Sequence, residues 1–270
     1  MFFVCPKCKE KLNMQGNSAV CALGHSYDRS KKGYFNLLLG RVGGTHGDNR
    51  EMLEARRLFL EGGYYKPLAE AVASAVCEYT PTCGAVLDIG CGEGYYTDHI
   101  ERALSARDGK SFVAGFDISK DATAMTHKRN SRVECAVAGA YDMPVEDGAV
   151  NTAVNMFSPL AANEILRCLK PDGAFVMAIP AENHLFGLKS LLYDTPYRNT
   201  VADTAIEGFE LVSDRSISYE ITLDKNESIL ALFGMTPYAY RTGKAGRERI
   251  EAVATLTTEV DFRLFVYKKL

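Results

Sequence analysis

Four residues that commonly bind metal ions stand near the amino terminus in two closely spaced pairs. Cys5 and Cys8 form C-x2-C, and Cys21 and His25 follow as C-x3-H after a gap of 12 residues. Each pair fits on one tight turn, so two turns can complete a tetrahedron of three thiolates and one imidazole. Such ligands suit Zn²⁺, and four of them leave no coordination position open for a substrate. The spacing therefore predicts one structural zinc ion, whose binding contributes on the order of 10–16 kcal/mol to folding.

A second chemical signature lies in the stretch AVLDIGCGEGYYTDHI. An apolar run ends at Asp88, and Gly90, Gly92 and Gly94 follow on alternate positions with Glu93 among them. Glycines between a strand and a helix let the backbone approach a bound ligand closely, and some of them need positive φ. The dinucleotide fingerprint, G-x-G-x-x-G, places a pyrophosphate at the helix terminus, and two acids would repel that anion. The same acids attract the ammonium and sulfonium cations of S-adenosylmethionine, so the loop favours this cofactor over NAD.

A third acid follows the next apolar run. The stretch FVAGFDISK contains Asp117, about 20 residues beyond the glycines, at the predicted end of the second strand. An acid at this place can accept hydrogen bonds from both ribose hydroxyls of an adenosyl ligand. An aspartate that caps the following helix is the alternative interpretation. Because Asp117 comes after the glycine loop, we favour the ribose contact.

Strand-like and helix-like segments alternate through the middle of the chain, and this alternation predicts a parallel sheet with helices on both faces. The last third instead alternates apolar and polar residues like antiparallel strands, in FELVSDRSISYEITL and TEVDFRLFVYKKL. The predicted fold class is α/β, with a mostly parallel Rossmann-like sheet, antiparallel pairing near the carboxyl terminus and a small amino-terminal zinc-binding domain. The strand-like runs cover residues 85–89, 112–116, 133–137, 150–156 and 174–179.

The charge is distributed unevenly, although the net charge is only −3. Residues 1–60 hold ten Lys and Arg against five Asp and Glu, which gives +5 and leaves −8 for the remaining 210 residues. This asymmetry suggests that the amino-terminal end meets a polyanion, and chance clustering on a solvated surface is the alternative. If the polyanion is RNA, the residues expected at phosphates are Lys7, Lys9, Arg29, Lys31 and Lys32. The aromatic residues that either stack on bases or form a small core are Tyr27, Tyr34 and Phe35.

No segment of the sequence predicts secretion or membrane insertion. The start, MFFVCPKC, lacks basic residues before its short apolar run, and no apolar run approaches the roughly 20 residues that cross a bilayer. We therefore expect a cytoplasmic protein without a membrane partner, whose eight cysteines are reduced. Whether the chain forms a homodimer is left open by the sequence.

Several motifs carry a resemblance to known proteins. VLDIGCGEGYYT, GFDISK, MPVEDGAVNTAV and CLKPDGAF resemble the successive motifs of class I methyltransferases. More narrowly, nearly the whole chain resembles the bacterial 23S rRNA (guanine-N1)-methyltransferases, in CPKC…CALGHSYDRSKKGYFNLL, MLEARRLFLEGGYYKPL, NHLFGLKSLLYD and MTPYAYR. The resemblance implies methyl transfer from S-adenosylmethionine to guanine N1 in a 23S rRNA hairpin. The implied organisation is a zinc-binding RNA-recognition module at 1–40, a linker with helices at 41–80 and a methyltransferase domain at 81–270.

The resemblance also implies roles for single residues. The four zinc ligands match those of the family, Asp117 matches the ribose-binding acid of class I enzymes, and the remaining matched cofactor contacts are Tyr65, Glu93, Gly94 and His184. One departure concerns adenine, because many class I enzymes carry an Asp where this chain has Gly139. Recognition of the adenine amine then passes to backbone groups near Ala140 or to Asp142.

Methylation at guanine N1 requires that its proton leave, so we expect a general base or a group that stabilises charge on O6. His184, Asp142 and Glu182 are candidate bases, and none is assigned. Phe157 follows the predicted fourth strand in NMFSP, where it either stacks on a flipped guanine or packs in the core.

The sequence leaves two other functions as alternatives. A small-molecule methyltransferase would leave the basic first 60 residues unexplained. A non-catalytic rRNA-binding assembly factor would not need an intact glycine loop followed by Asp117.

Overall fold

The computed structural model describes residues 1–40, 47–201 and 203–270. The beginning of the predicted linker, residues 41–46, lies outside the described residues, and so does Arg41 among the ten basic residues of the first 60. No helix in these three ranges is long and apolar enough to span a bilayer.

The amino-terminal unit is built on a small antiparallel sheet of three short strands. Its strands pair in the order β1-β2-β3 and are β1 (Asn13–Gln15), β2 (Ser18–Val20) and β3 (Ser26–Asp28). A fourth strand, β4 (Phe35–Asn36), is not part of this sheet. It pairs in parallel with a strand of the main sheet. The amino-terminal unit is therefore joined to the larger domain by backbone hydrogen bonds as well as by the chain itself.

The main sheet contains β4 and seven further strands. These are β5 (Ala85–Ile89), β6 (Phe112–Asp117), β7 (Glu134–Val137), β8 (Val150–Met156), β9 (Leu169–Pro180), β10 (Phe209–Leu223) and β11 (Leu256–Lys269). The order is β10-β11-β9-β8-β5-β6-β7-β4, with parallel pairs from β4 to β9 and antiparallel pairs of β11 with β9 and β10. This arrangement confirms the predicted fold class.

Helices cover the sheet and connect its strands. The first group is α1 (Arg50–Glu61), α2 (Lys66–Tyr79), α3 (Tyr95–Arg107), α4 (Lys120–Arg129) and α5 (Ala162–Cys168). The second group is α6 (Phe186–Leu192), α7 (Asn226–Gly234), α8 (Tyr238–Arg241) and α9 (Lys244–Ala252). Side-chain caps begin two of them, because Asn49 accepts from the Met52 amide at α1 and Ser119 accepts from the Ala122 amide at α4.

The strand order reverses between β5 and β8. From β5 the chain adds β6 and β7 on one side, whereas β8 and β9 lie on the other side. A crevice forms outside the carboxyl ends of the strands at such a switch point, and ligands bind there in open α/β sheets. The segments that follow β5, β6 and β8 are therefore expected to form the ligand site.

Two apolar cores lie on the two faces of the sheet, and one of them includes the amino-terminal unit. Phe3 and Phe35 pack in the same cluster as Leu87 of β5 and Phe116 of β6. Each of these four side chains is almost completely buried. Because they share one core, the amino-terminal unit and the sheet are expected to stabilise each other.

Candidate active site and metal centre

The four predicted metal ligands converge in the amino-terminal unit. The ligand atoms of Cys5, Cys8, Cys21 and His25 all lie within 4.8 Å of one another. Nδ1 of His25 lies 3.5 Å from Sγ of Cys5 and 3.4 Å from Sγ of Cys21, and the Sγ atoms of Cys8 and Cys21 are 3.7 Å apart. A zinc tetrahedron with Zn–S bonds of about 2.3 Å has edges of about 3.8 Å, so the donor set and its spacing fit Zn²⁺.

Each pair of ligands sits on a turn whose backbone supports the site. The turns contain positive φ angles, +60° at Lys9 and +80° at Gly24. Polar hydrogens point at the sulfur atoms, since the His25 amide lies 3.3 Å from Sγ of Cys21 and the Tyr27 hydroxyl 3.3 Å from Sγ of Cys5. Such outer contacts stabilise thiolate charge and orient the ligands of a metal site.

The glycine loop occupies the turn between β5 and α3. Gly90, Gly92 and Gly94 have φ angles of +75°, +56° and +87°, which side chains rarely adopt. A Cβ at Gly90 would lie 2.6 Å from Cβ of Ser158, and one at Gly94 would lie 2.8 Å from Cα of Thr126. The loop therefore depends on glycine at these positions, and it leaves backbone exposed to a ligand at the switch point.

Asp88 is a buried acid directly before this loop. Thr97 Oγ1 donates to Asp88 Oδ2 at 2.5 Å, while Oδ1 accepts no hydrogen bond from the residues that the structure describes. Burial raises the pKa of Asp88 to about 6, against the opposing effect of the Thr97 hydrogen bond. A buried carboxylate oxygen without a donor fits a ligand that supplies a cation, because the cation favours the charged form.

Asp117 ends β6 and faces the same loop. Its Oδ2 accepts from the Gly92 amide at 3.1 Å, and its Oδ1 accepts from the Ser119 amide at 2.8 Å. Burial raises the pKa of Asp117, and the two backbone donors oppose that rise. Each carboxylate oxygen can accept a second hydrogen bond, so the group can still receive both hydroxyls of a ribose.

Glu93 is placed differently from the other two acids. Arg129 Nη2 donates to its Oε2 at 2.5 Å, and the Tyr95 amide donates to its Oε1 at 3.1 Å. Burial raises the pKa of Glu93, and Arg129 opposes this rise. The side chain is thus neutralised within the protein, and a direct contact between its carboxylate and a cofactor stays a prediction.

Tyr65 and His184 meet in a buried aromatic cluster. The Tyr65 hydroxyl lies 3.3 Å from His184 Nε2, and the Asp261 amide donates to His184 Nδ1 at 3.3 Å. Burial lowers the pKa of His184 to about 3, with a further contribution from Lys189. A neutral imidazole that accepts at Nδ1 carries its proton on Nε2, so His184 donates to Tyr65 and leaves the tyrosine proton free for another acceptor.

Phe157 stands at the carboxyl end of β8, and the residue is 46% exposed. Its φ of +61° is unusual for a bulky residue. The buried Asn155 side chain forms hydrogen bonds with the two residues that follow Phe157. Asn155 Oδ1 accepts from the Ser158 amide at 3.2 Å, and its Nδ2 donates to the Pro159 carbonyl at 3.1 Å. The ring lies 5.2 Å from that of Phe262, which is 4.2 Å from His184, so the turn presents Phe157 beside the Tyr65 cluster.

The other predicted site residues lie at or beyond the rim. Asp142 is exposed and pairs with Lys9, and Glu182 is exposed and lies 3.9 Å from Arg198. A Cβ at Gly139 would lie 3.8 Å from Leu38, so the amino-terminal unit borders the place where adenine recognition is predicted. The structure therefore groups Tyr65 with His184 and the three glycines with Asp88 and Asp117, whereas Asp142 stands apart in its ion pair.

Several amino-terminal basic residues are engaged within the protein. Lys9 pairs with Asp142, Lys32 lies 3.4 Å from Asp121, and Arg29 lies over the ring of Phe35 at 5.1 Å. Phe35 is a core residue with 1% exposure, which removes it from the candidates for base stacking. Sequence reasoning missed Asp142 and Asp121 as partners because they come from distant segments of the chain.

Two family models match the chain. One is described as a methyltransferase domain and matches residues 86–173, which include the glycine loop and Asp117. The other is a zinc-ribbon model described as RlmA, N-terminal, and it matches residues 3–39, which include all four ligands of the metal centre.

Relatives resemble the chain over most of its length. A Bacillus subtilis (strain 168) protein is 33% identical over 279 residues, with 96% of this chain and 95% of that protein covered. Its name assigns it provisionally as a 23S rRNA (guanine-N(1)-)-methyltransferase. A Streptomyces fradiae protein named 23S rRNA (guanine(748)-N(1))-methyltransferase is 32% identical over 230 residues, covering 82% of this chain and 79% of that protein. The crystal structure of MccD protein aligns with a TM-score of 0.50 and 19% identity, over 76% of this chain and 98% of that one, and shows a shared fold.

Proposed function

The chain belongs to the 23S rRNA (guanine-N1)-methyltransferase family, and on that premise we propose that it methylates N1 of a guanine in 23S rRNA, with S-adenosylmethionine as the donor. The observation that carries the proposal is the convergence of the glycine loop, Asp88, Asp117 and Phe157 on one switch point of the sheet. We also propose a cytoplasmic location, where 23S rRNA is found.

The residues at the switch point suit the parts of this cofactor. Asp117 receives the ribose hydroxyls, Asp88 faces the ammonium group, and the free hydroxyl proton of Tyr65 is available for a carboxylate. When bound, S-adenosylmethionine supplies a methyl group on a sulfonium, which is already a good leaving group. The protein therefore contributes chiefly by holding the guanine and the donor in line.

Phe157 is the residue best placed to hold the guanine. Its exposed ring follows β8 next to the glycine loop, and stacking on an aromatic ring is a common way to hold a base outside its helix. His184 fits a role in positioning Tyr65 better than the role of base, because both ring nitrogens are engaged and its pKa is lowered to about 3 by burial. The exposed acids Asp142 and Glu182 remain candidates for accepting the N1 proton.

For the rRNA contact we propose a smaller set of amino-terminal residues than the composition suggested. Lys7 and Lys31 form no ion pair within the described ranges, in contrast to Lys9, Lys11 and Lys32. We infer that these two lysines meet phosphates. A homodimer is a further proposal, which light scattering of the purified protein at several concentrations tests directly.

The proposed activity can be tested by mapping methylated guanines in 23S rRNA. A methyl group on N1 blocks Watson–Crick pairing, so primer extension stops at the modified base. We expect one stop in wild-type rRNA, none in a deletion strain, and none when the deletion is complemented with Asp117→Ala. The matched control is Asp224→Ala, an exposed acid after β10, which should restore the stop. An unchanged pattern in the deletion strain would contradict the proposal and favour a small-molecule substrate.

A further inference from the structure

We propose that a surface formed by Tyr240, Arg241 and Lys244 is a second contact site for the RNA substrate, named here the Tyr240 surface. Tyr240 stacks on a base, and the two cations contact phosphates. The inference rests on the proposed function, since it concerns how the rRNA is held at the same active site. It adds a contact outside the amino-terminal basic region.

The side chains of this surface are exposed to solvent. Tyr240 is 64% exposed, and Arg241 is exposed without an ion pair or hydrogen bond to the described residues. Lys244 is 90% exposed and reaches Glu248 only at 3.7 Å. An exposed aromatic ring beside exposed cations is the combination that single-stranded nucleic acids recognise, through stacking and phosphate contacts.

The neighbouring cations are held by contacts within the fold, whereas Arg241 has no side-chain partner among the described residues and Lys244 has only its solvent-exposed ion pair with Glu248. Arg247 donates to the carbonyl oxygens of Ala239 and Thr242, which ties α9 to α8. Arg249 donates to the Leu191 and Leu192 carbonyls at 2.7 and 2.9 Å, which ties α9 to α6. Residues 238–249 carry four cations and one acid, and Asp194 also pairs with Arg249 at 3.1 Å, so a net positive charge remains on this segment.

A chain of contacts leads from the Tyr240 surface to the predicted ribose site. The Tyr240 hydroxyl accepts from Asn49 Nδ2 at 3.1 Å, and Asn49 caps α1. The adjoining Asp48 carbonyl accepts from Ser119 Oγ at 3.4 Å. The Ser119 amide donates to Asp117 at 2.8 Å. Tyr240 is therefore separated from the ribose-binding acid by only a few directly contacting residues.

The zinc-bearing unit also contacts the start of α4, near Ser119. Lys32 lies 3.4 Å from Asp121, which is in the first turn of α4, close to Ser119. Tyr240 reaches Ser119 through Asn49 and the adjoining Asp48, and Lys31 is the chain neighbour of Lys32. We infer that one RNA bound along this segment contacts both the Tyr240 surface and Lys31. This common position makes RNA the ligand that best explains an exposed tyrosine beside exposed cations.

The experiment measures binding and methylation of a hairpin transcript that carries the guanine methylated by the wild-type protein. Tyr240→Ala should weaken RNA binding roughly five- to a hundredfold, the range for one base stacked on an aromatic side chain. Tyr240→Phe keeps the ring and removes only the bond with Asn49, so it should bind RNA like wild type. The double variant Arg241→Glu/Lys244→Glu should flatten the salt dependence by about 0.7–0.9 units of slope for each phosphate that the variant no longer neutralises.

Two controls separate the possible outcomes. Lys110→Glu makes the same charge change as either single substitution of the double variant, on an exposed residue just before β6 at the amino ends of the strands, and should leave RNA binding unchanged. Affinity for S-adenosylmethionine should be equal in all variants. If Tyr240→Phe is as defective as Tyr240→Ala, the tyrosine acts through Asn49 and the inference is wrong. Equal RNA affinity of Tyr240→Ala, the double variant and wild type also overturns it. A wild-type protein that methylates no 23S rRNA contradicts the proposed function instead.

Discussion

Asp88 offers a test of the cofactor site that depends on few assumptions. Its carboxylate is buried, Thr97 supplies one hydrogen bond, and burial raises the pKa of Asp88 to about 6. We expect the substitution Asp88→Asn to stabilise the cofactor-free protein and to weaken binding of S-adenosylmethionine. The two effects have opposite signs because the charge is costly in the empty fold and needed by a cationic ligand.

The size of the stability effect follows from the difference between the pKa of Asp88 in the folded and in the unfolded chain. An aspartate in an unfolded chain has a pKa near 3.9, so a folded value of about 6 corresponds to about 3 kcal/mol at 1.36 kcal/mol per pKa unit. A raised pKa of an acid means that stability is lost as the pH rises from about 4 to about 6. Above pH 6 the folded protein carries the full destabilisation from the ionised, buried carboxylate. Asp88→Asn should therefore be up to about 3 kcal/mol more stable than wild type at pH 7, and its stability should change less with pH.

Cofactor affinity should show the reverse dependence on pH. A cation favours the ionised carboxylate, so binding is coupled to release of a proton below pH 6. At pH 5 a group with a pKa of about 6 is about ten parts protonated to one ionised, and affinity should fall about tenfold from its value at pH 8. In Asp88→Asn this component should disappear, while any contribution from Asp117 remains in both proteins.

Calorimetric titration with S-adenosylmethionine between pH 5 and pH 8, together with urea unfolding of the free proteins, measures both quantities. Buffers with different ionisation enthalpies report the released proton. The reasoning about Asp88 would be refuted if wild type and Asp88→Asn showed the same pH dependence of affinity. It would also fail if the variant were less stable than wild type at pH 7 while keeping the native fold.

Three further predictions address the remaining parts of the site. Asp117→Ala should weaken S-adenosylmethionine binding by about 1–3 kcal/mol, the range for hydrogen-bonding groups left unpaired, and an unchanged calorimetric affinity would place the ribose elsewhere. Metal analysis of the purified protein should find about one zinc per chain, and Cys8→Ser should lose it while the exposed Cys83→Ser keeps it. Native wild-type protein without zinc would contradict the metal centre. Phe157→Ala should lower kcat/KM for the rRNA hairpin by roughly five- to a hundredfold because the base no longer stacks, with unchanged affinity for the cofactor. Normal rRNA methylation by this variant would exclude the stacking role.

The parts of the site that sequence predicted well are local. Each pair of metal ligands occupies one turn, and the glycine loop occupies one strand-to-helix connection, so spacing alone indicates their local geometry. Asp117 follows from the regular alternation of strands and helices, which fixes where β6 ends. Within each ligand pair and within the loop, the residues that determine the arrangement lie a few positions apart, whereas Asp117 lies 25 positions beyond Gly92 and is located by the order of strands and helices.

The parts that sequence did not predict depend on distant partners. Glu93 was expected to act as a charge beside the cofactor, but it pairs with Arg129, which lies 36 positions further along the chain. That pairing depends on the packing of α3 against α4, which the residue spacing does not indicate. Lys9 and Lys32 were likewise expected at RNA phosphates, and each forms an ion pair with an acid of the larger domain.

The short strand β4 has a consequence for the behaviour of the metal-free protein. Phe35 and Asn36 cover the outer side of β7, so the zinc-bearing unit closes an edge of the main sheet that would otherwise expose unpaired backbone groups. Unpaired sheet edges are templates for pairing between molecules. If removal of zinc releases β4, the edge of β7 is exposed and can pair with another molecule. Chelation should produce self-association of the protein, visible as light scattering, before the α/β core itself unfolds.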